Sequence, residues 1–182
     1  MKQKSKEPAP LVKYLYGLAE SRDRATLAEL RASLREGRQL DALRIVLPML
    51  GSAVGNRWAE DDAVLLAGLF ALHPVAGGSS LARALRGVWK DTGSDSVEAR
   101  FRALMGASRE DLPVHVRHAI SLVASGGRGV DWQNLYDTIR YWNGTGGGRR
   151  RWARDFWAPV GAEVDEEEGA TTPATTNEYS NI

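Results

Sequence analysis

Apolar residues recur along this chain at intervals of three and four positions, a spacing that predicts amphipathic helices. One segment differs, because residues 63–72 carry no charge on any side of a helix. Ten helical residues span about 15 Å, half of what a bilayer requires, so this segment is too short to cross a membrane. We therefore expect a helix between Trp58 and Pro74 to lie in the centre of a globular core. Asp61 and Asp62 would stabilise the positive end of its dipole.

The other helices are predicted on both sides of this central one. Their apolar stripes begin near residues 10, 25, 40, 81, 96, 109 and 132. The second helix should cover about residues 25–36 and end at Gly37, and Pro48 should bend or end the third. No alternating pattern typical of a β-strand runs for any length. The sequence therefore predicts an all-α fold, in which two small helical bundles pack into one compact body without a β-sheet.

Changes in composition divide the chain into four parts. Residues 1–9 form a basic arm that we expect to be flexible. A Thr-Gly-Ser sequence at 92–94 marks the boundary between an N-terminal helical lobe, residues 10–92, and a C-terminal helical lobe, residues 93–160. Residues 161–182 are acidic, rich in threonine and poor in apolar side chains, so we expect this tail to be disordered.

Formal charge is distributed unevenly along the sequence. The whole chain carries +1, but residues 161–182 contain 6 of its 23 acidic residues and no lysine or arginine. Residues 1–160 therefore hold 24 basic against 17 acidic residues, a net charge of +7. Arginine accounts for 19 of the basic residues, and its planar guanidinium can bind phosphate through two hydrogen bonds. This charge is typical of a protein that binds a polyanion.

One group of candidate binding residues lies on the second predicted helix. At 100° per residue its members fall within an arc of about 60°. They are Arg24, Arg31, Arg35 and Arg38. The arc has two interpretations, a solvated helix face or a stripe that contacts phosphates, and the sequence leaves both open.

A second candidate group lies in residues 149–157, after the glycine-rich loop 144–148, where arginines occur together with aromatic residues. Its members are Arg149, Arg150, Arg151 and Arg154. Arginines for phosphates and aromatic rings for bases are typical of proteins that bind single strands. Trp152 and Phe156, however, are one helical turn apart and would serve equally well at the edge of the core. We expect the aromatic residues to be core, and at least two of the arginines to act electrostatically.

Catalytic and metal-binding motifs are missing from the sequence. The chain has no cysteine, which excludes disulfides, thiolate nucleophiles and cysteine-based zinc sites. His115 and His118 are one helical turn apart, but no third ligand is near them in sequence, so we expect both to be structural. No phosphate-binding loop, dinucleotide motif or nucleophile elbow is found. We therefore expect a protein that is not an enzyme and needs no metal or cofactor. Because the sequence shows no secretory signal, we also expect the protein to be cytoplasmic.

Several short motifs follow one another along the chain at a recognisable spacing. They are residues 69–74 (LFALHP), 80–81 (SL), 84–85 (AL), 100–104 (RFRAL), 112–117 (LPVHVR), 131–132 (DW), 142 (W) and 151–156 (RWARDF). Each motif is weak alone, but their serial order resembles the CasB family, the small subunit of Cascade, the type I-E CRISPR surveillance complex. The resemblance covers roughly residues 10–158.

This resemblance implies an all-α protein of two small lobes without catalytic activity. Two copies are expected head to tail against the backbone subunits that hold the guide RNA, with the large subunit at one end. The basic surface would bind the guide RNA–target DNA heteroduplex and the displaced non-target strand. No contact with a membrane is expected. Three arginines within the matching motifs, Arg100, Arg102 and Arg117, join the candidate interface on this ground.

A different kind of function is compatible with the same arginines. A helical protein–protein adaptor could use an arginine-rich face to bind an acidic partner and make no contact with nucleic acid. The sequence does not separate this alternative from nucleic-acid binding, because both depend on exposed positive charge.

The uneven charge also predicts that the acidic tail competes with nucleic acid for the basic face. Deletion of residues 161–182 removes six acidic residues and should tighten the binding of single-stranded DNA at low salt. The difference should shrink as salt rises, because screening weakens both interactions. Fluorescence anisotropy with the full and the shortened chain measures this effect, and equal affinities at low salt would contradict it.

Overall fold

Nine α-helices follow one another in the part of the chain that the computed structural model describes, residues 7–35, 37–144 and 147–159. They are α1 (Pro10–Glu20), α2 (Arg24–Ala32), α3 (Gln39–Val46), α4 (Arg57–Leu72), α5 (Leu81–Thr92), α6 (Asp95–Gly106), α7 (Leu112–Ser125), α8 (Trp132–Arg140) and α9 (Gly148–Trp157). Strands are absent from these ranges, where a single bridge joins Ala76 and Val130, so the predicted all-α fold is confirmed. The predicted acidic tail and the first six residues of the predicted arm lie outside the described ranges.

Helix α4 is the buried element that the apolar segment predicts. Ten of its residues are buried, and Leu66, Leu69 and Phe70 have no exposed surface. Helices α1, α2, α3, α7 and α8 pack against it. No helix in the described residues has the length and apolar character that a membrane crossing needs. The central position expected for this helix is confirmed.

Local sequence explains where several helices begin and end. The Asp131 carboxylate accepts a 2.9 Å hydrogen bond from the Asn134 backbone N–H and caps α8, as other aspartates and serines do at helix starts. Helix α3 ends at Val46, and Pro48 lies in the 3-10 turn Leu47–Met49 that follows, so the prediction that this proline shortens the helix is confirmed.

Helix α2 is shorter than the sequence predicts, because it ends at Ala32 and not at residue 36. The hydroxyl of Ser33 donates a 2.7 Å hydrogen bond to the Leu30 carbonyl. The backbone N–H groups of Ser33, Leu34 and Arg35 each bond to the carbonyl three residues earlier. This tighter pattern is that of a 3-10 turn and replaces the last predicted turn of the α-helix.

The boundary predicted at residue 93 separates helices that pack closely together. Helix α5 precedes the boundary, yet it packs against α6, α7 and α9, which all follow it. Buried residues from both sides form one cluster. Gly93 has a φ of 62°, in the left-handed region that ends helices, and terminates α5. The division into two lobes stays a prediction.

A buried ion pair joins α4 to the chain between α6 and α7. The Arg109 guanidinium donates hydrogen bonds to the Asp62 carboxylate and to the Ile139 carbonyl. Only 12% of the Arg109 side chain and 7% of the Asp62 side chain are exposed. Burial raises the pKa of the Asp62 carboxyl above its ordinary value, and the charge of Arg109 offsets part of this effect. Asp62 is therefore a tertiary contact, whereas the sequence predicted only a role at the helix start.

Removal of one partner of this pair should destabilise the protein strongly. Asp62→Ala leaves Arg109 buried without a counter-charge, and we expect a loss of about 3–5 kcal/mol in the free energy of unfolding. The neighbour Asp61 is exposed, so Asp61→Ala should change it by less than about 0.5 kcal/mol. Urea denaturation measures both values.

The double variant Asp62→Leu with Arg109→Met is the complementary control. Two apolar side chains of similar volume avoid the unpaired charge, so this variant should regain most of the stability that Asp62→Ala loses. Equal stability of Asp62→Ala and Asp61→Ala would contradict the importance of the pair.

Candidate nucleic-acid interface

Two hydrogen bonds bring the end of α2 next to α4 and α7. The Nε of Arg31 donates a 2.8 Å bond to the Ala71 carbonyl in the last turn of α4. From α7, the Arg117 guanidinium donates a 3.3 Å bond to the Leu34 carbonyl. Arg31, Arg35 and Arg117 are therefore gathered around one backbone turn, and all three are exposed. We call these three residues the α2–α7 group.

The two outer members of the predicted stripe flank this group. Arg24 is the first residue of α2, exposed and two turns from Arg31 on the same face. Arg38 lies beyond the end of α2, and its Nε is 2.6 Å from the Asp41 carboxylate. Because the helix ends at Ala32, the 60° arc does not describe the positions of Arg35 and Arg38.

Helix α9 runs antiparallel to α6. At the beginning of α9, the Arg149 guanidinium donates a hydrogen bond to the Met105 carbonyl, near the end of α6. At the end of α9, the indole N–H of Trp157 donates a 3.1 Å hydrogen bond to the Glu98 carboxylate, in the first turn of α6. This packing places Arg102, which pairs with Glu98, beside α9, so it brings together predicted residues that are distant in sequence. Arg100 lies about 160° around α6 from Arg102, on the other side of Phe101.

The aromatic residues of α9 pack inward, with one exception. Trp152 and Phe156 are fully buried, which confirms the expectation that they are core. The Phe156 ring stacks on Phe101 with 4.1 Å between ring centroids. Trp157, in contrast, has 41% of its surface exposed.

The arginines of α9 point in several directions. Arg150 and Arg154 lie opposite the buried side of the helix, and Arg151 is exposed on a third side. None of the three has an ion-pair or hydrogen-bond partner among the described residues. On α6, Arg100 is exposed and likewise unpartnered within the described chain, whereas Arg102 pairs with Glu98 at 2.8 Å. These residues form the α6–α9 group: Arg100, Arg102, Arg150, Arg151 and Arg154.

Arg149 differs from the other predicted residues because its guanidinium is used inside the protein. It lies 4.8 Å from the centroid of the Trp142 ring and is hydrogen-bonded to the Met105 carbonyl. The Trp142 ring is buried, so this cation–π contact is largely shielded from water. These contacts favour a structural role for Arg149, and a role in nucleic-acid binding stays a prediction.

Helix α5 adds two arginines beside α9 that the sequence analysis did not include. Arg83 pairs with the Asp155 carboxylate at 2.8 Å, and Arg86 donates a 3.4 Å hydrogen bond to the Asp155 carbonyl. The Ser80 hydroxyl also donates to this carboxylate. The spacing of three residues between the two arginines on an amphipathic helix could have marked them as candidates. The packing of α5 on α9, which places them beside the other arginines, cannot be predicted from the sequence.

A groove of about 750 Å³ opens between the end of α2, α3 and the first turns of α4 and α7. Three exposed apolar residues border it, Leu40, Trp58 and Val114. Its charged lining contains both signs: Arg57, Glu60, Asp61, Asp62, Arg109, Glu110 and Arg117. This mixture does not favour phosphate inside the groove, so the candidate interface is the exposed arginines outside it together with Arg117, the one candidate residue that also lines it.

One of the three histidines has structural surroundings. The Nε2 of His73 donates a 2.7 Å hydrogen bond to the Arg128 carbonyl, and the side chain is buried. His115 is half-buried and His118 is exposed on α7. No group of three or more potential metal ligands occurs among the residues that the structure describes.

Comparison with known proteins identifies the family. The family model of the CRISPR-associated protein Cse2 matches residues 26–157, more than half of this chain. The chain belongs to the Cse2 family. A Cse2 protein of Thermus thermophilus is 36% identical over 133 residues, which cover 70% of this chain and 72% of that protein.

Solved Cse2 structures share this fold. A crystal structure of a CRISPR-associated Cse2-family protein from Thermus thermophilus superposes with a TM-score of 0.71 at 30% identity, and the match covers 82% of this chain and 96% of that one. The crystal structure of M. ruber CasB has a TM-score of 0.60 at 26% identity, over 73% and 83% of the two chains. The predicted resemblance to CasB is therefore confirmed.

The Cse2 match includes almost all of the predicted binding residues. Arg24 lies before its first residue, and the other ten arginines predicted from the sequence lie within it. Membership of the family establishes the fold around these arginines. The role of each one in binding stays a prediction.

The contacts of Arg149 and Arg150 predict different effects of the same substitution. Arg149→Ala removes a hydrogen bond and a cation–π contact, so the free energy of unfolding should fall by about 1–3 kcal/mol. Arg150→Ala should change it by less than about 0.5 kcal/mol, because the side chain is exposed. Thermal or urea denaturation of both variants tests this, and equal losses would contradict the structural role assigned to Arg149.

Proposed function

We propose that this chain is the non-catalytic small subunit of a type I-E Cascade complex and binds nucleic acid without reading its sequence. It would stabilise the R-loop, in which guide RNA pairs with target DNA and the non-target strand is displaced. The observation that carries this proposal is the exposure of the α2–α7 and α6–α9 arginine groups on a Cse2-family fold.

The energetics of an R-loop make such a subunit useful. The RNA–DNA heteroduplex is about as stable as the DNA duplex that it replaces, so modest contacts to the backbone can shift the balance. Contacts to phosphates carry no sequence information and suit a complex that must bind any target. Exposed guanidinium groups without acidic partners provide such contacts at little desolvation cost.

The partners in this proposal follow from the family resemblance. They are the guide RNA–target DNA heteroduplex, the displaced strand, the backbone subunits, the large subunit and a second copy of this chain. The subunit would need no cofactor and would act in the cytoplasm, where guide RNA and invading DNA meet.

Salt dependence of binding is the direct test. We expect log affinity for single-stranded DNA to fall linearly with log salt concentration, with a slope of about −0.7 for each phosphate contact. Removal of three contacts should therefore reduce the slope by about 2. One variant replaces Arg31, Arg35 and Arg117 with glutamine, and a second replaces Arg100, Arg150 and Arg154. The control is Arg57→Gln, because the Arg57 side chain is 92% exposed and belongs to neither group.

The alternative, a protein–protein adaptor, gives a different outcome in the assembled complex. Charge reversal at Arg31 and Arg35 would then abolish assembly and leave nucleic-acid affinity unchanged. Affinity that is indifferent to salt, or no binding even by the assembled complex, would contradict the proposal. Circular dichroism of each variant confirms that it is folded.

A further inference from the structure

The outward face of α9 combines an exposed aromatic ring with two arginines that have no ion-pair partner among the described residues. At 100° per residue, Arg150, Arg154 and Trp157 fall within an arc of about 60°, on the side away from buried Trp152. Residues three and four apart on a helix are neighbours, so Arg154 lies beside both of the others. We propose that this face is a binding site for single-stranded nucleic acid, in which Trp157 stacks on a base and Arg150 and Arg154 bind phosphates.

The surroundings of Trp157 hold its ring in place without covering it. Its contacts with Phe101 and Phe156 are T-shaped, with interplanar angles of 64° and 77°, so neither of these rings stacks in parallel on the indole. Its N–H is fixed by the hydrogen bond to Glu98. A ring that is already oriented loses little conformational entropy when a base stacks on it. The exposed 41% of its surface is available for that contact.

The charge around this face is complementary to a phosphodiester backbone. Two carboxylates beside it in the described part of the chain are already paired, Glu98 with Arg102 and Asp155 with Arg83. Arg150 and Arg154 have no such partner in the described chain. Four residues of helix rise about 6 Å, which is close to the spacing of successive phosphates along an extended strand. One base and two phosphates therefore fit the three side chains.

An unpaired strand suits this face better than a duplex does. Bases in a duplex are stacked on one another and present only their edges, whereas a base in a single strand has a free face for an aromatic side chain. Stacking does not distinguish the four bases, since each has a π-face. This inference rests on the proposed function and specifies which form of nucleic acid α9 binds, the displaced single strand.

An oligonucleotide that lacks bases separates stacking from charge. We would measure binding of the full chain to an oligothymidylate and to an abasic oligonucleotide of the same length and charge. The wild-type protein should bind the oligothymidylate about ten-fold more tightly, the effect of one stacked base. Oligouridylate in parallel shows whether DNA or RNA is preferred, and a blunt duplex should show no dependence on Trp157.

Variants at Trp157 show whether the difference arises there. Trp157→Leu keeps an apolar side chain against Phe101 but has no π-face, so it should remove the preference for bases. Trp157→Phe should keep most of it. Trp58→Leu is the matched control, since Trp58 is also exposed but lies on α4 next to the mixed-charge groove, and this variant should retain the full preference. None of these changes should alter the salt slope, which Arg150→Gln with Arg154→Gln should lower.

The outcomes distinguish this inference from the proposed function. Salt-dependent binding with equal wild-type affinity for the two oligonucleotides overturns the inference and leaves the proposed function standing. A full preference retained by Trp157→Leu overturns it as well. If Trp157→Leu does not fold, Trp157→Met, which also has no π-face but a flexible apolar side chain, takes its place in the same comparison. No binding to any oligonucleotide contradicts both proposals.

Discussion

Burial of residues 62–71 of α4 on nearly every side is the constraint that determines where the candidate interface lies. A helix without a polar face is stable in water only when other helices cover it completely. Helices from both halves of the chain do so, α1, α2 and α3 from one and α7 and α8 from the other. The C-terminal end of α2 is thereby held against α7, where Arg117 bonds to the Leu34 carbonyl. Arginines on α2 and α7, far apart in sequence, become neighbours because the core requires their helices to be adjacent.

The second arginine group follows from aromatic packing. Phe101 and Phe156 stack between α6 and α9, while Trp142 and Trp152 form an edge contact between α9 and the end of α8. Because these rings occupy the inner side of α9, most of its arginines must face outward. Arg149 is the exception, since its position on the helix places it over Trp142. A compact aromatic core and a basic outer surface are thus two sides of one short helix.

Local sequence patterns made the central helix, the Pro48 break and the buried Trp152 and Phe156 predictable, because these depend on residues close in sequence. Other features depend on contacts that no local pattern records. The 3-10 end of α2 comes from the Ser33 hydroxyl, which competes for a helix carbonyl. The Asp62–Arg109 pair and the position of Arg83 beside Asp155 arise only when distant helices meet. The serial order of weak motifs identified the family although it assigned few residues.

The acidic residues near each group decide how strongly its arginines can act. Exposed ion pairs such as Arg38–Asp41 and Arg102–Glu98 contribute about 0–1 kcal/mol, so a phosphate could displace either carboxylate at small cost. The carboxylate that is released, however, remains close and repels the strand. Arg150 and Arg154 have no such neighbour to displace within the described chain, so each phosphate contact there keeps its full counterion-release energy. Two unpaired cations beside an exposed aromatic ring therefore favour the α9 face as a contact with an extended strand.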